Sequence, residues 1–260
     1  MLFRSVRIKL VVWARDIAGS RQMAEQHLAL GVSCVKVKTG LDPETDIARV
    51  RAVREVCGPD IPVTIDSNCG WTIQQARYCL RALRDQRLLL AEQPIPAGDF
   101  AALVELRRES VVPIMADESV FTLQDAWQLS NHRAADIFSI YPGKHGGIAA
   151  TADIVAVARA AGLRCTIGSN LELGIGTAAM LQVAAAFPEV DTDAFPADTI
   201  GPFYHDADLI TESLRLGPPM AEVPTGPGLG VELDESQLRR YRVRSEEHTS
   251  ELQSLRHLVC

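Results

Sequence analysis

The chain has 260 residues, of which 47% are hydrophobic, and a formal net charge of −7 at pH 7. This length can bury one sizeable core, and the acidic balance provides no basic surface for nucleic acid or an anionic membrane. No apolar run approaches the ~20 residues that span a bilayer, and no signal peptide precedes the first predicted strand, so we expect a cytoplasmic protein.

The six cysteines and six histidines form no metal-binding or redox motif. There is no CxxC pair, HxH or HExxH arrangement, which argues against a histidine-ligated zinc enzyme. We therefore expect the cysteines to be reduced thiols, most of them in the core.

Both ends of the chain resemble translated sequencing-adapter sequence: LFRS at residues 2–5 and RSEEHTSELQS at 244–254. We expect residues 1–5 and 244–260 to be foreign to the native reading frame and to contribute nothing to the core. The alternative for the second segment is an amphipathic C-terminal helix.

From residue 6 onward, short runs rich in β-branched residues alternate with helical patterns, which is typical of βαβ units on a parallel sheet. Eight such units of about 25 residues favour a TIM-type barrel over an open doubly wound sheet. No GxGxxG or GxxxxGK[ST] motif follows a strand, so nothing indicates a nucleotide-binding fold. The predicted strands are IKLVVWA (8–14), CVKVK (34–38), PVTID (62–66), LLLAEQ (88–93), VPIMAD (112–117), DIFSIY (136–141), RCTIGS (164–169) and DTDAF (191–195).

Two of the intervening helices have clear boundaries. Asp42 is a predicted N-cap followed by Pro43, and Gly58 ends that helix. Thr72 is the predicted N-cap of the next helix.

Two lysines stand two residues apart in the apolar run CVKVK. Side chains two apart on a strand share a face, so Lys36 and Lys38 point the same way. An unpaired buried ammonium is costly, and we therefore expect negative partners nearby.

Three carboxylates end successive predicted strands: Asp66, Glu92 and Asp117, about 25 residues apart. This spacing predicts that they converge at the rim of the barrel, close enough to share one ion. Three oxygen donors without His or Cys suit a hard divalent cation, Mg²⁺ before Mn²⁺. Taken singly, the aspartates could be helix N-caps and the glutamate a loop residue, and Glu118 can replace Asp117 as a ligand.

The motifs VKVK, IDSN, EQP, ADES and KHGGI together resemble the enolase superfamily, in its mandelate racemase and muconate lactonizing enzyme branch. The resemblance covers residues 6–243. It implies a modified (β/α)7β barrel over residues 6–199 and a C-terminal extension, 200–243, that contributes to a capping domain. The N-terminal capping segment of the family is not recognised, because the chain enters almost directly at the first barrel strand.

The resemblance also implies a reaction: removal of the proton α to the carboxylate of a small substrate, with the resulting enediolate stabilised by Mg²⁺. Lys38 matches the general base, Lys36 matches the lysine that contacts the substrate carboxylate, and Asp66, Glu92 and Asp117 match the metal ligands. Because adjacent ammoniums and burial both disfavour the charged form, we expect lowered lysine pKa values. A homo-oligomer is compatible with the family, although no motif specifies one.

One position departs from the family. Many relatives carry a second catalytic lysine on the opposite face of the substrate, and in SIYPGKHGGI that position is Tyr141, while Lys144 matches a later lysine in the loop. This favours one-base chemistry, either dehydration of a hydroxy or sugar acid or a muconate-type cycloisomerisation. The alternatives are a racemase or epimerase that uses Tyr141 or Lys144, a Tyr141 that only shapes the pocket, and an inactive barrel fragment that binds metal or carboxylate.

Three further polar residues are predicted to contact substrate from the rim. Asn68 follows the predicted strand PVTID, and Asn170 and Glu172 follow RCTIGS. Asn68 could instead serve a turn, and Asn170 or Glu172 could cap the following helix.

Overall fold

The computed structural model describes residues 4–242, which form ten strands, nine α-helices and one 3₁₀ helix, Gly201–Tyr204. The strands are β1 (Ser5–Arg7), β2 (Leu10–Val12), β3 (Val35–Lys38), β4 (Val63–Asp66), β5 (Leu88–Glu92), β6 (Ile114–Ala116), β7 (Ile137–Ile140), β8 (Arg164–Ile167), β9 (Leu216–Gly217) and β10 (Met220–Glu222). The helices are α1 (Ile17–Ala29), α2 (Pro43–Cys57), α3 (Ile73–Ala82), α4 (Phe100–Glu109), α5 (Leu123–His132), α6 (Pro142–His145), α7 (Ile148–Ala161), α8 (Gly174–Ala186) and α9 (Glu235–Tyr241).

The centre of the fold is a curled parallel sheet in which β2 to β8 lie side by side in chain order. Helices α1 to α5 and α7 connect successive strands, as the alternating sequence pattern predicts. Apolar strand residues such as Val35 and Val37 are fully buried in the main core. A smaller buried cluster contains Leu90, Met115 and Ile137, with Phe195 packed against it.

The predicted eighth strand, 191–195, is not a strand. The side chain of Asp191 accepts the amide of Ala194, and the amide of Phe195 bonds back to the carbonyl of Asp191. Such local bonds compete with strand pairing. Single parallel bridges flank this turn instead, Cys165 with Val190 and Ile8 with Ala197.

The predicted helix boundaries are confirmed. Asp42 accepts the amide of Thr45 at the start of α2, Pro43 is its first residue, and Gly58 follows its end with φ of 66°. Thr72 begins α3 through a reciprocal capping box with Gln75.

Strand β1 joins a second sheet, antiparallel, in the order β1, β10 and β9. Ser5 pairs with Glu222, and the carbonyl of Arg4 accepts the amide of Val223. The backbone of the predicted foreign segment 1–5 therefore takes part in this sheet at residues 4 and 5. The predicted foreign segment 244–260 lies outside the described residues.

No helix within residues 4–242 is both long enough and apolar enough to cross a membrane.

Candidate active site

Strand register brings the predicted site residues to one rim. Lys38 lies opposite Asp66, and Asp66 lies opposite Glu92, across three neighbouring parallel strands. Each is the last residue of its strand, and Asp117 directly follows the next strand, β6. The three carboxylate residues therefore end or follow neighbouring strands at the same end of the sheet.

Lys36 is buried among three carboxylates. Its Nζ lies 2.6 Å from Asp198 Oδ2, 3.0 Å from Asp66 Oδ2 and 3.3 Å from Glu92 Oε2. Burial disfavours the ammonium, but the charges of Asp198, Glu92 and Asp66 outweigh it and hold the pKa of Lys36 well above its ordinary value. The expected lowered pKa is therefore wrong for Lys36, because the sequence motif did not reveal how many carboxylates surround it.

Lys38 lies nearer the solvent, with 19% of its side chain exposed. Its Nζ donates to Asp66 Oδ2 and to Asn68 Oδ1, each at 2.6 Å. Asn68 has a positive φ of 42° and also donates from Nδ2 to Glu118 Oε1 at 3.1 Å. Asn68 thus lies at a turn and also bonds to Lys38, whereas its predicted contact with substrate stays a prediction.

The carboxylates differ in how well their charge is balanced. Burial raises the pKa of Asp66, but Lys36 and Lys38 outweigh it and lower that pKa below its usual range. Burial, followed by the charge of Asp66, raises the pKa of Glu92 to about 8 despite Lys36. Burial and Asp117 likewise raise the pKa of Glu118. The rim therefore holds negative charge that the lysines do not fully neutralise.

Lys144 points inward, although its sequence position suggested a loop. It lies in the short helix α6, and its Nζ donates to the carboxylate of Asp117 and to the carbonyls of Asp117 and Ser139. Pro142 is the first residue of this turn of helix, a position that favours proline.

The predicted convergence of three carboxylates on one point is not observed. Within residues 4–242, no three His, Cys, Asp or Glu side chains are grouped so that they could hold a metal ion. Ammonium groups lie among the carboxylates instead: Lys36 contacts Asp66 and Glu92, and Lys144 contacts Asp117.

The donor set nevertheless fits a divalent cation. All the candidate ligands are oxygen donors, which Mg²⁺ prefers. Glu118 Oε2 is buried without a hydrogen-bond partner, and the pKa of Glu92 is raised because its charge is poorly balanced. A cation bound here would give Glu118 Oε2 a partner and would balance the charge of Glu92.

Two functional candidates were missed by sequence reasoning. Asp198 follows the turn at 191–195, and its Oδ2 contacts Lys36 and also Lys9 Nζ, at 3.3 Å. Lys9 is 1% exposed and donates to the carbonyl of Pro196 at 2.7 Å. The sequence did contain a signal for this pair. Lys9 stands in the apolar run IKLVV, and a buried lysine there needs an acidic partner just as Lys36 does.

Tyr141 is buried next to Asn170 and Lys144. Its hydroxyl donates to Asn170 Oδ1 at 3.2 Å, and Lys144 Nζ lies 4.7 Å from the centre of its ring. Burial and the charge of Asp117 raise the pKa of Tyr141. Gly168 makes room for this ring, because a Cβ there would lie 3.0 Å from two ring carbons and 2.2 Å from Ser139 Oγ.

Glu172 organises the loop after β8. Its carboxylate accepts from Ser169 Oγ at 2.6 Å and from the amide of Asn170 at 3.0 Å. Helix α8 has no side-chain cap from Asn170 or Glu172; Asp208 accepts the amide of Gly174 instead. Glu172 therefore positions Asn170, and the alternative helix-cap role is not observed.

A cavity of about 250 Å³ opens beside the two lysines. Its polar lining includes Lys36, Lys38, Asn68 and Asn170, and Asp198 lies at its wall. Cationic and amide groups on one side of a concave site are suited to an anionic small molecule.

Comparison with known proteins agrees with this arrangement. The profile of the enolase C-terminal domain-like family matches residues 19–237. The chain belongs to this family, and its resemblance to the mandelate racemase and muconate lactonizing enzyme branch of the enolase superfamily is confirmed.

Muconate cycloisomerase 1 of Rhodococcus opacus is 36% identical over 229 residues, covering 86% of this chain and 61% of the relative. L-Ala-D/L-Glu epimerase of Bacillus subtilis is 34% identical over 211 residues, covering 80% and 57%. The crystal structure of dipeptide epimerase from Enterococcus faecalis with Mg and the dipeptide L-Leu-L-Tyr superposes with a TM-score of 0.84 at 32% identity, covering 89% of this chain and 65% of that one. The chain thus spans about three fifths of the length of these relatives.

Proposed function

We propose that this chain carries the site for Mg²⁺-dependent abstraction of a proton α to the carboxylate of a small substrate. The observation that carries this proposal is the contrast between its two rim lysines. Lys36 is held by three carboxylates in a buried position, whereas Lys38 reaches the cavity and hydrogen-bonds to Asp66 and Asn68.

Each lysine has a separate role. Lys36 carries a fixed positive charge at the cavity wall, which suits it to attract the substrate carboxylate. Lys38 is the general base, because its amine is within the cavity and Asn68 fixes its direction. A proton transfer requires that the amine come within hydrogen-bond distance of the C–H bond, and a partly exposed lysine can do so.

Asp66, Glu92 and Asp117 would hold the metal ion, Mg²⁺ in preference to Mn²⁺. When bound, the ion supplies positive charge beside the substrate carboxylate and makes the α-proton more acidic. The solved E. faecalis relative contains Mg, which supports this assignment. Lys36 and Lys144 would have to share these carboxylates with the ion.

One-base chemistry is the favoured outcome. Tyr141 stands where a second catalytic lysine is expected, and Lys144 is directed to Asp117 and to backbone carbonyls rather than to the cavity. Cycloisomerisation agrees with the muconate cycloisomerase relative, and dehydration of a hydroxy acid would use the same base. Epimerisation is the second candidate, because an epimerase is 34% identical to this chain.

The domain organisation remains a proposal. The single bridges at Val190 and Ala197 support a closed (β/α)7β barrel over residues 6–199. Residues 200–242 contact both the β8 rim and strand β1, which supports a contribution to a cap over the site. That residues 1–5 and 244–260 are adapter-derived also stays a prediction, as does homo-oligomerisation.

The test measures exchange of α-hydrogen for deuterium in D₂O with Mg²⁺, by NMR, over a panel of hydroxy acids, muconolactones and dipeptides, each with a hydrogen on a saturated carbon next to a carboxylate. Wild-type exchange that Lys38→Ala abolishes would support the proposal. Calorimetric titration with Mg²⁺ is run alongside. Metal binding without exchange would support the inactive binding fragment, and no binding would refute both readings.

A further inference from the structure

Strand register places an aromatic side chain beside the candidate base. Strands β2 and β3 pair with Val11 opposite Lys36 and Val12 opposite Val37, so the next residue, Trp13, falls level with Lys38. Side chains alternate along a strand, and register neighbours share a face. Both Val11 and Trp13 accordingly line the cavity with the two lysines, and Lys38 Nζ lies 5.9 Å from the centre of the Trp13 ring.

Trp13 is supported by a distant part of the chain. The ring of Tyr204 meets it edge to face, with centroids 5.7 Å apart and planes at 81°, a favourable aromatic geometry. Tyr204 ends the 3₁₀ helix that begins at Gly201, and a Cβ at Gly201 would lie 2.1 Å from the carbonyl oxygen of Glu172. This close backbone contact fixes the segment, so the Trp13 ring has a defined position before any ligand arrives.

The cavity has two chemically different sides. Its apolar lining is Val11, Trp13, Leu171 and Ile200. On the polar side, Asp198 is already bound to Lys36 and Lys9. The described wall therefore offers lysine and amide N–H donors to a carboxylate, and an apolar, aromatic surface to whatever is attached next to it.

We propose that Trp13 is a specificity-determining residue that packs against a planar unsaturated or aromatic group on the α-carbon of the carboxylate substrate. The inference rests on the proposed function, in which the carboxylate lies at Lys36 and the α-carbon at Lys38. A planar group stacked on an indole gains more than a saturated group of similar size.

Binding of three matched probes to the full chain in the presence of Mg²⁺ tests this by calorimetry or ligand-observed NMR. Phenylacetate has a carboxylate and a planar ring, cyclohexylacetate keeps the carboxylate with a saturated ring, and 2-phenylethanol keeps the aromatic ring without the carboxylate. We expect phenylacetate to bind about fivefold more tightly than cyclohexylacetate, and more tightly still than 2-phenylethanol.

Trp13→Leu should remove the preference for phenylacetate over cyclohexylacetate, and Trp13→Phe should keep part of it. The control is Trp127→Leu, at a side chain 59% exposed on helix α5, which should leave the preference unchanged. Unfolding midpoints of the variants establish that each is folded.

The two probe comparisons separate the possible failures. Equal binding of phenylacetate and cyclohexylacetate would overturn the proposed role of Trp13, as would a preference that survives in folded Trp13→Leu. Either result would leave the proposed function standing. Equal binding of phenylacetate and 2-phenylethanol would overturn carboxylate recognition, and with it the proposed function. Absence of binding by every probe would overturn both.

Discussion

Lys36 Nζ lies 2.6 Å from Asp198 Oδ2, although 162 positions separate the two residues in the chain. The same carboxylate oxygen lies 3.3 Å from Lys9 Nζ, so one buried acid is shared by two buried ammoniums. Burial would raise the pKa of Asp198, but Lys36 and Lys9 outweigh it and lower that pKa. The ion cluster joins β3 to the segment that follows the 191–195 turn, and it sets the position of Lys36 in the cavity wall.

Asp198→Asn should destabilise the fold by about 3–5 kcal/mol, because it removes the shared counter-charge of two buried ammoniums. Urea denaturation at neutral pH would measure the loss. The matched control is Glu222→Gln in the exposed pair with Arg215, whose closest atoms are 3.4 Å apart. Exposed pairs contribute little, so this variant should unfold like wild type. Equal losses in the two variants would show that Lys36 and Lys9 do not depend on Asp198.

Asp117→Asn should weaken Mg²⁺ binding by about tenfold or more, whereas Glu118→Gln should have a smaller effect. Asp117 directly follows β6, the strand next to β5, which ends at Glu92, and its charge is among those that raise the pKa of Glu92. Each carboxylate already has one side-chain partner, Lys144 for Asp117 and the Asn68 amide for Glu118, so the two variants must be compared directly. Calorimetric titration of both variants decides between the two neighbours, and a larger loss in Glu118→Gln would assign Glu118 as the ligand.

Local sequence patterns and the spacing of the strands were sufficient to predict the helix starts and the strand ends that carry this site. The caps at Asp42 and Thr72 depend on neighbouring residues, and the shared rim of Asp66 and Glu92 follows from the repeat length of parallel strands. These features are encoded within one or two units of the chain, so the sequence predicts them.

Long-range pairing was not predictable in the same way. Spacing indicates which strand end a carboxylate follows, but not which ammonium reaches it. The partnership of Lys36 with Asp198 was therefore missed, and an inward-pointing Lys144 was only one of several alternatives. The raised pKa of Lys36 follows from that missed partner. The 191–195 segment was misread because aspartates that bond their own backbone produce turns even within a strand-length run.

The unfolding free energy should decrease on acidification partly because of His145. Burial, followed by the charge of Lys144, lowers the pKa of His145 to about 4, and the hydrogen bond to the Phe121 carbonyl opposes this only in part. The unfolded histidine titrates near ~6.5. The neutral ring therefore contributes its full stability above that pH, and the contribution is lost as pH falls from about 6.5 toward 4.

His145→Gln should reduce this acid-induced loss by roughly 2–3 kcal/mol across that interval. Urea denaturation at several pH values between 4 and 7 measures the difference between variant and wild type. His132→Gln, at an exposed site on α5, serves as the control and should leave the pH profile unchanged. A wild-type profile that His145→Gln does not alter would mean that the ring is protonated without cost in the folded state.

Exchange of α-hydrogen should be confined to one enantiomer of a chiral substrate. Lys38 reaches the cavity from one side, and a base removes only a proton within hydrogen-bond distance. The hydroxyl of Tyr141 donates to Asn170, and its raised pKa keeps it protonated and therefore unavailable as a base. Each enantiomer of a substrate that exchanges is incubated separately in D₂O with Mg²⁺ and followed by NMR. Lys38→Ala should abolish the exchange, and Tyr141→Phe should leave it in the same enantiomer. Comparable exchange into both enantiomers, lost from one of them in Tyr141→Phe or Lys144→Met, would identify a working second base and make epimerisation the reaction.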